Sequence, residues 1–258
     1  MTELHRMLIK IEYDGTPFVG WQSQENGDSI QHEIEIAAHK LTTRPTAVQG
    51  AGRTDAGVHA IGQAAHLDVP LKYTTRSVMM GLNSYLESKP ISIVSATRVA
   101  NDFNARFDAI ERRYLYRMLT RAARPSLDKY RVWHLAKILD IKSMQEAAQH
   151  LEGKHDFTSF RATHCQAKSP IRTLQSLEVR AAGDEIHIIA IARSFLHNQI
   201  RNITGSLVEV GKGKWNPNRI KEILAAKDRR EAGPTAPPDG LYLTDVIYPD
   251  SVVNPDLS

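Results

Sequence analysis

Along the first strand-like stretch Met7, Ile9, Ile11 and Tyr13 alternate with Leu8, Lys10 and Glu12, which predicts a strand ending at the turn Asp14-Gly15-Thr16-Pro17. Ile30, Ile34, Ala37 and Leu41 then recur at helical spacing, with Asp28 as the cap, Gln31 three residues on, and a break at Arg44-Pro45. Strands are expected over Gln63–Val69 and Ile91–Val99, with a short helix around Ser77–Tyr85 between them. After Phe107 the order starts again. Tyr114, Tyr116 and Met118 alternate with Leu115, Arg117 and Leu119, and a helix on Met144, Ala147, Ala148 and Leu151 stops at Gly153. A polar loop is expected from Asp156 to Pro170. Leu174–Arg180 and Glu185–Arg193 then read as antiparallel neighbours turned at Ala182-Gly183-Asp184. From Leu196 the pattern is helical, with Ile200, Ile203, Leu207 and Val210 on one stripe and Arg201 well off it. Asn216-Pro217 opens another helix, and Leu241–Tyr248 closes the chain as a strand.

This order predicts an α/β protein of the α+β type. Two similar halves bring antiparallel sheets into a central sheet, and helices cover the outer faces. The halves are residues 1–107 and 108–250, and the likeness between them is one of element order rather than of residues.

Composition narrows the chemistry. With a single cysteine, Cys165, there is no intrachain disulfide, no Cys-x-x-Cys pair and no cysteine-rich zinc site, as in a reducing compartment. No segment approaches the roughly 18 apolar residues of a membrane span, so a soluble cytoplasmic protein is expected. Lysine and arginine outnumber acids by 33 to 29, a small excess whose distribution matters more than its size. Arg106, Arg112, Arg113, Arg117, Arg121 and Arg124 are interleaved with Phe107, Tyr114 and Tyr116, and a second basic group runs from Lys212 to Arg230. Arginine mixed with aromatic rings suits phosphate backbones and unpaired bases. The plainer alternative is a solvated basic face.

The densest candidate chemistry is Ala51-Gly52-Arg53-Thr54-Asp55-Ala56-Gly57-Val58-His59. Gly52 and Gly57 permit close approach to the backbone, and Arg53 stands beside a carboxylate that it would help keep ionised. Asp55 is therefore the candidate nucleophile, against the plainer reading of a turn whose aspartate folds onto its own amides. No phosphate loop, dinucleotide fingerprint or His-Glu-x-x-His motif competes with it, and a zinc deaminase would need two further cysteines.

Tyr13-Asp14-Gly15, Phe18, Gly20-Trp21-Gln22, Gly52 through His59, Phe103 through Phe107, Arg112 through Tyr116, Asp156 through Phe160, Ser194-Phe195, Arg201-Asn202 and Gly240 through Leu243 occur in one order along nearly the whole chain. In this the chain resembles the tRNA pseudouridine synthase A family. The resemblance implies isomerisation of uridine to pseudouridine at positions 38, 39 and 40 in the anticodon stem-loop of tRNA, with no metal and no organic cofactor. It implies a homodimer touching one tRNA, and an active site in the cleft between the two halves of one subunit. Asp55 would be the catalytic aspartate, attacking C1′ of the sugar or C6 of the uracil. Arg201 would pair with it, Tyr114 would lie on the uracil and carry a proton, and Arg53 would hold the flipped nucleotide through the RNA backbone. His59 would contact RNA or finish the turn, and Phe195 and Leu243 would wall the pocket. Without the family, Tyr114, Phe195 and Leu243 read as core residues and Arg201 as a surface one. One departure stands out: Gln199 occupies a position where the family usually has an apolar residue. The competing functions are a pseudouridine synthase for another RNA site and an RNA-binding or chaperone relative without chemistry.

Overall fold

The computed structural model describes residues 3–24, 27–163 and 165–253. It is mixed α/β with mostly antiparallel strands, and it divides into two compact units, residues 1–111 with 243–258, and residues 112–242.

In the first unit the predicted opening strand is β1 (Leu4–Tyr13), followed by α1 (Ile30–Thr42), β2 (Gln49–Gly50), β3 (His59–Pro70), α2 (Thr75–Leu86) and β4 (Ile91–Val99). β1 is central, paired antiparallel with β3 on one side and β4 on the other, and its Met7, Ile9, Ile11 and Tyr13 face inward as their alternation predicts. α2 packs on β4 and against α1, and Asn83 of α2 satisfies both the amide and the carbonyl of Ile93. The cap of α1 is Ser29 rather than Asp28, because the Ser29 hydroxyl is the group that accepts from the His32 amide.

The second unit runs through β5 (Glu111–Leu119), β6 (Trp133–His134), α3 (Ile141–Gln149), β7 (Gly153–Asp156), β8 (Ile171–Ala182), β9 (Glu185–Ala192), α4 (Gln199–Gly211) and α5 (Asn218–Ala226). Its strands are ordered β5-β9-β8-β7, all antiparallel, with β6 parallel to β5. The expected hairpin is β8–β9, closed by Gly183 (φ 62) and Asp184 between the partners Ala182 and Glu185. The last strand, β10 (Leu241–Ile247), is followed by α6 (Asp250–Val253). β10 pairs with β3, where Gly62 lets the Thr244 carbonyl approach so closely that a Cβ would overlap it. No helix among the described residues is long and apolar enough to cross a membrane.

Two expectations change. The stretch beginning at Asp156 is not a polar loop at its start, since Phe157 and Phe160 are fully buried around a single 3-10 turn. The single apolar stripe on α4 also fails: every residue from Gln199 to Gly211 except Arg201 is buried. Several of its buried polar groups are used. Asn202 donates to the Phe160 carbonyl, Ser206 donates to the Asn202 carbonyl and accepts from the Gly233 amide, and Gly205 gives room for the Pro234 carbonyl. The helix starts three residues later than Leu196, after Asn198 in the left-handed region (φ 61).

Candidate active site

Asp55 sits in a loop whose shape is set by residues far from it in sequence. Tyr13, the last inward side chain of β1, places its hydroxyl 2.7 Å from the Thr54 hydroxyl in a buried contact. The chain then turns so that Gly15 lies directly on the other side of the loop: a Cβ there would overlap the Val58 carbonyl oxygen, and the Gly15 amide donates to His59 Nδ1 at 3.1 Å. Gly20, at φ 117, bridges to Asp55, and a Cβ on it would be 2.7 Å from the Thr54 carbonyl oxygen. The next amide, Trp21, donates to that carbonyl at 3.0 Å. Gln63, fully buried on β3, donates to the Gly52 carbonyl at 3.0 Å. The Tyr-Asp-Gly and Gly-Trp-Gln stretches are thus the two walls on which the aspartate loop is built.

Within that frame the Val58 amide donates to the Asp55 carbonyl at 3.1 Å, closing a turn whose third residue is Gly57 at φ 77. Asp55 is half-buried and Arg53 is exposed. His59 is only 2% exposed, and besides the Gly15 amide its Nδ1 has the Asp14 carboxylate 3.2 Å away. Nδ1 is therefore engaged by the Asp14-Gly15 turn. Tyr13, Gly15 and Thr54 stand in the motifs that carry the family resemblance, but their supporting roles, and that of Gln63, were not legible from their own surroundings.

In the second unit Tyr114 faces inward on β5 with its ring edge-to-face on Phe195, centroids 5.1 Å apart. Tyr116, two residues on, is fully buried and donates to the Pro237 carbonyl at 2.7 Å. Burial pushes its phenol far above the ordinary range, against the downward pull of the Arg201 charge, so it stays neutral. Arg201, in the first turn of α4, donates from Nε to the Ala236 carbonyl at 2.8 Å and from Nη1 to Asn198 Oδ1 at 3.1 Å. These bonds fix the direction of its stem. Leu243 is fully buried in β10, in the first unit.

The basic-aromatic run is dispersed by the fold. Arg112 is buried with its guanidinium on the Arg193 carbonyl, and Arg117 is bidentate on Glu185 at 2.9 and 2.6 Å. Arg121 meets Asp184. Part of the later basic group is also paired: Lys212 and Lys214 share Glu209, Arg219 meets Glu222 and Glu231, and Arg230 meets Asp228. Counting cations along the chain therefore overstated the charge left for a polyanion.

Gln199 is 1% exposed; its Oε1 accepts from the Leu196 amide at 2.8 Å, while Nε2 is buried without a partner. Replacing it with methionine exchanges one lost hydrogen bond for one removed unpaired donor, terms of about 1 and about 1–3 kcal/mol. Gln199→Met should leave the unfolding free energy within about 1 kcal/mol of wild type. A loss above about 3 kcal/mol in denaturant unfolding would show that Nε2 is satisfied in solution.

The sequence pattern of the tRNA pseudouridine synthase family matches residues 9–108 and 147–249. A protein of Rhodospirillum rubrum named tRNA pseudouridine synthase A is 52% identical over 250 residues, covering 97% of this chain and 90% of the relative. Proteins of the same name from Maricaulis maris and Afipia carboxidovorans are 50% and 51% identical, covering 95% and 94% of this chain and 98% and 99% of the relatives.

Proposed function

The chain belongs to the tRNA pseudouridine synthase family, and we propose that it isomerises uridine to pseudouridine at positions 38, 39 and 40 of the tRNA anticodon stem-loop. The reaction breaks the C1′–N1 bond, turns the uracil and joins C1′ to C5; the proton leaves C5 and one is taken up at N1. Asp55 is the catalytic carboxylate. Arg53, Tyr114 and Arg201 support it, and His59, Phe195 and Leu243 serve substrate binding. The first half of the chain supplies the acid and the second half the tyrosine and the arginine. The working enzyme is a cytoplasmic homodimer that needs no metal or organic cofactor.

The observation that carries this reading is the Asp55 loop. Two separate motifs, Tyr13-Asp14-Gly15 and Gly20-Trp21, are spent on holding a single half-buried carboxylate in one backbone geometry. A loop that only reversed the chain would not need glycines pressed against carbonyl oxygens on two sides. The relatives, matched over nearly their full length, support tRNA as the substrate; the choice of positions 38, 39 and 40 rests on the family resemblance alone.

Mapping pseudouridine in tRNA from cells with and without the gene tests the proposal. Loss confined to positions 38, 39 and 40 is expected. Loss elsewhere would assign the enzyme to another RNA site, and no loss would leave the relative without chemistry as the better account.

A further inference from the structure

Of the rings in the basic-aromatic run, the fold buries Tyr114 and Tyr116 and leaves Phe107 70% exposed. Its loop is nevertheless tightly held. Phe103 is buried, edge-to-face on Tyr248 with centroids 5.1 Å apart, and its carbonyl accepts from Arg6 at 2.7 Å. Ala105 is buried too, with its amide on His66 Nδ1 at 3.1 Å and its carbonyl accepting from the Tyr248 hydroxyl at 2.7 Å. Between them Asn104 closes the turn: its Oδ1 accepts from the amides of both Arg106 and Phe107, and its own amide donates to Asp108. Phe103 and Ala105 anchor, while Arg106 and Phe107 project. The Arg106 guanidinium lies over the Phe107 ring, 5.7 Å from its centroid.

A large apolar ring on a rigid, anchored loop has little to gain from water. Its ordering cost is already met, so a flat ligand placed on the open face gains stacking at small entropic loss. The guanidinium beside the ring selects an anionic neighbour for that flat group. An unpaired RNA base with its phosphate has both parts. Resting on the tRNA reading above, we infer that Phe107 is a stacking platform for an unpaired base of the substrate RNA and that Arg106 takes the adjoining phosphate. Both act as positioning residues in binding, outside the chemical step.

The experiment compares wild type with Phe107→Ala, Phe107→Leu, Phe107→Trp and Arg106→Ala, using an unmodified tRNA transcript. Filter binding gives Kd, turnover gives kcat and KM, sedimentation gives the oligomeric state, and thermal melting checks the fold. Phe107→Ala should raise Kd and KM about tenfold with kcat within about twofold, and melting should not move because the side chain is exposed. Phe107→Trp should restore binding and lose tryptophan fluorescence on adding tRNA, whereas Phe107→Leu, apolar but without a π face, should not restore it. Arg106→Ala should weaken binding and reduce the salt slope of log Kd by about one. A Phe107→Ala variant with wild-type Kd and KM overturns the inference, as does restoration by leucine or a changed oligomeric state that accounts for the loss. If wild type itself neither binds nor modifies tRNA, the proposed function fails with it; if wild type is active and the variants match it, the stacking platform alone fails.

Discussion

Asp55→Asn is expected to lower pseudouridine formation by at least about 10³-fold, roughly 4 kcal/mol of transition-state stabilisation, while tRNA binding persists. The substitution keeps the shape of the side chain at a half-buried position and removes only the charge. The loop should hold, since its bridge to Gly20 and its turn to Val58 use Asp55 backbone atoms, and Tyr13 holds the neighbouring Thr54. Binding rests chiefly on contacts to phosphates, and deleting a negative charge that faces a polyanion leaves affinity unchanged or slightly better. Single-turnover assays with saturating enzyme, beside filter-binding titrations, separate the two quantities. Wild-type turnover in the asparagine variant would remove the carboxylate from the mechanism. Parallel loss of turnover, binding and melting temperature would make it a structural residue.

Gly15→Ala should cut kcat by about a hundredfold while costing only about 1–3 kcal/mol of stability. The added methyl group meets the Val58 carbonyl, a backbone group that has no rotamer to change. Relief requires the loop itself to move. The Gly15 amide then leaves His59 Nδ1, and because the Val58 amide is bonded to the Asp55 carbonyl, the displacement passes to the aspartate. A shift of about 1 Å at a reacting group is enough for such a loss. Kinetics and thermal melting on the same preparation decide the matter. A variant with wild-type kcat would show that the loop absorbs the methyl group without moving Asp55, and an unfolded one would show that Gly15 serves stability first.

Much of the architecture follows from local pattern. The alternation in β1, the bounds of β4 and the β8–β9 hairpin all depend on residues within one element and its turn, where side-chain periodicity and glycine conformation act directly. The Asn216 side chain accepts from the Arg219 amide, so the cap before α5 was legible for the same reason. The Asp55 motif could be picked out as well, because a charged residue flanked by glycines is unusual within its own few residues.

What required the tertiary structure concerns partners distant along the chain. Whether Arg117 grips RNA or Glu185, whether Phe107 or Tyr116 faces water, and whether α4 shows one apolar face or is wrapped on nearly every side depend on which strands and loops arrive beside them. Charge and burial are properties of a neighbourhood, and the neighbours come from other elements. The clearest case is Gly15 beneath Val58: each stretch can be recognised alone, but only the folding of β1 beside β3 shows that the glycine exists to let the aspartate loop rest on it. A backbone contact of that kind leaves no periodicity to read, because the residue that makes it possible is marked by the absence of a side chain.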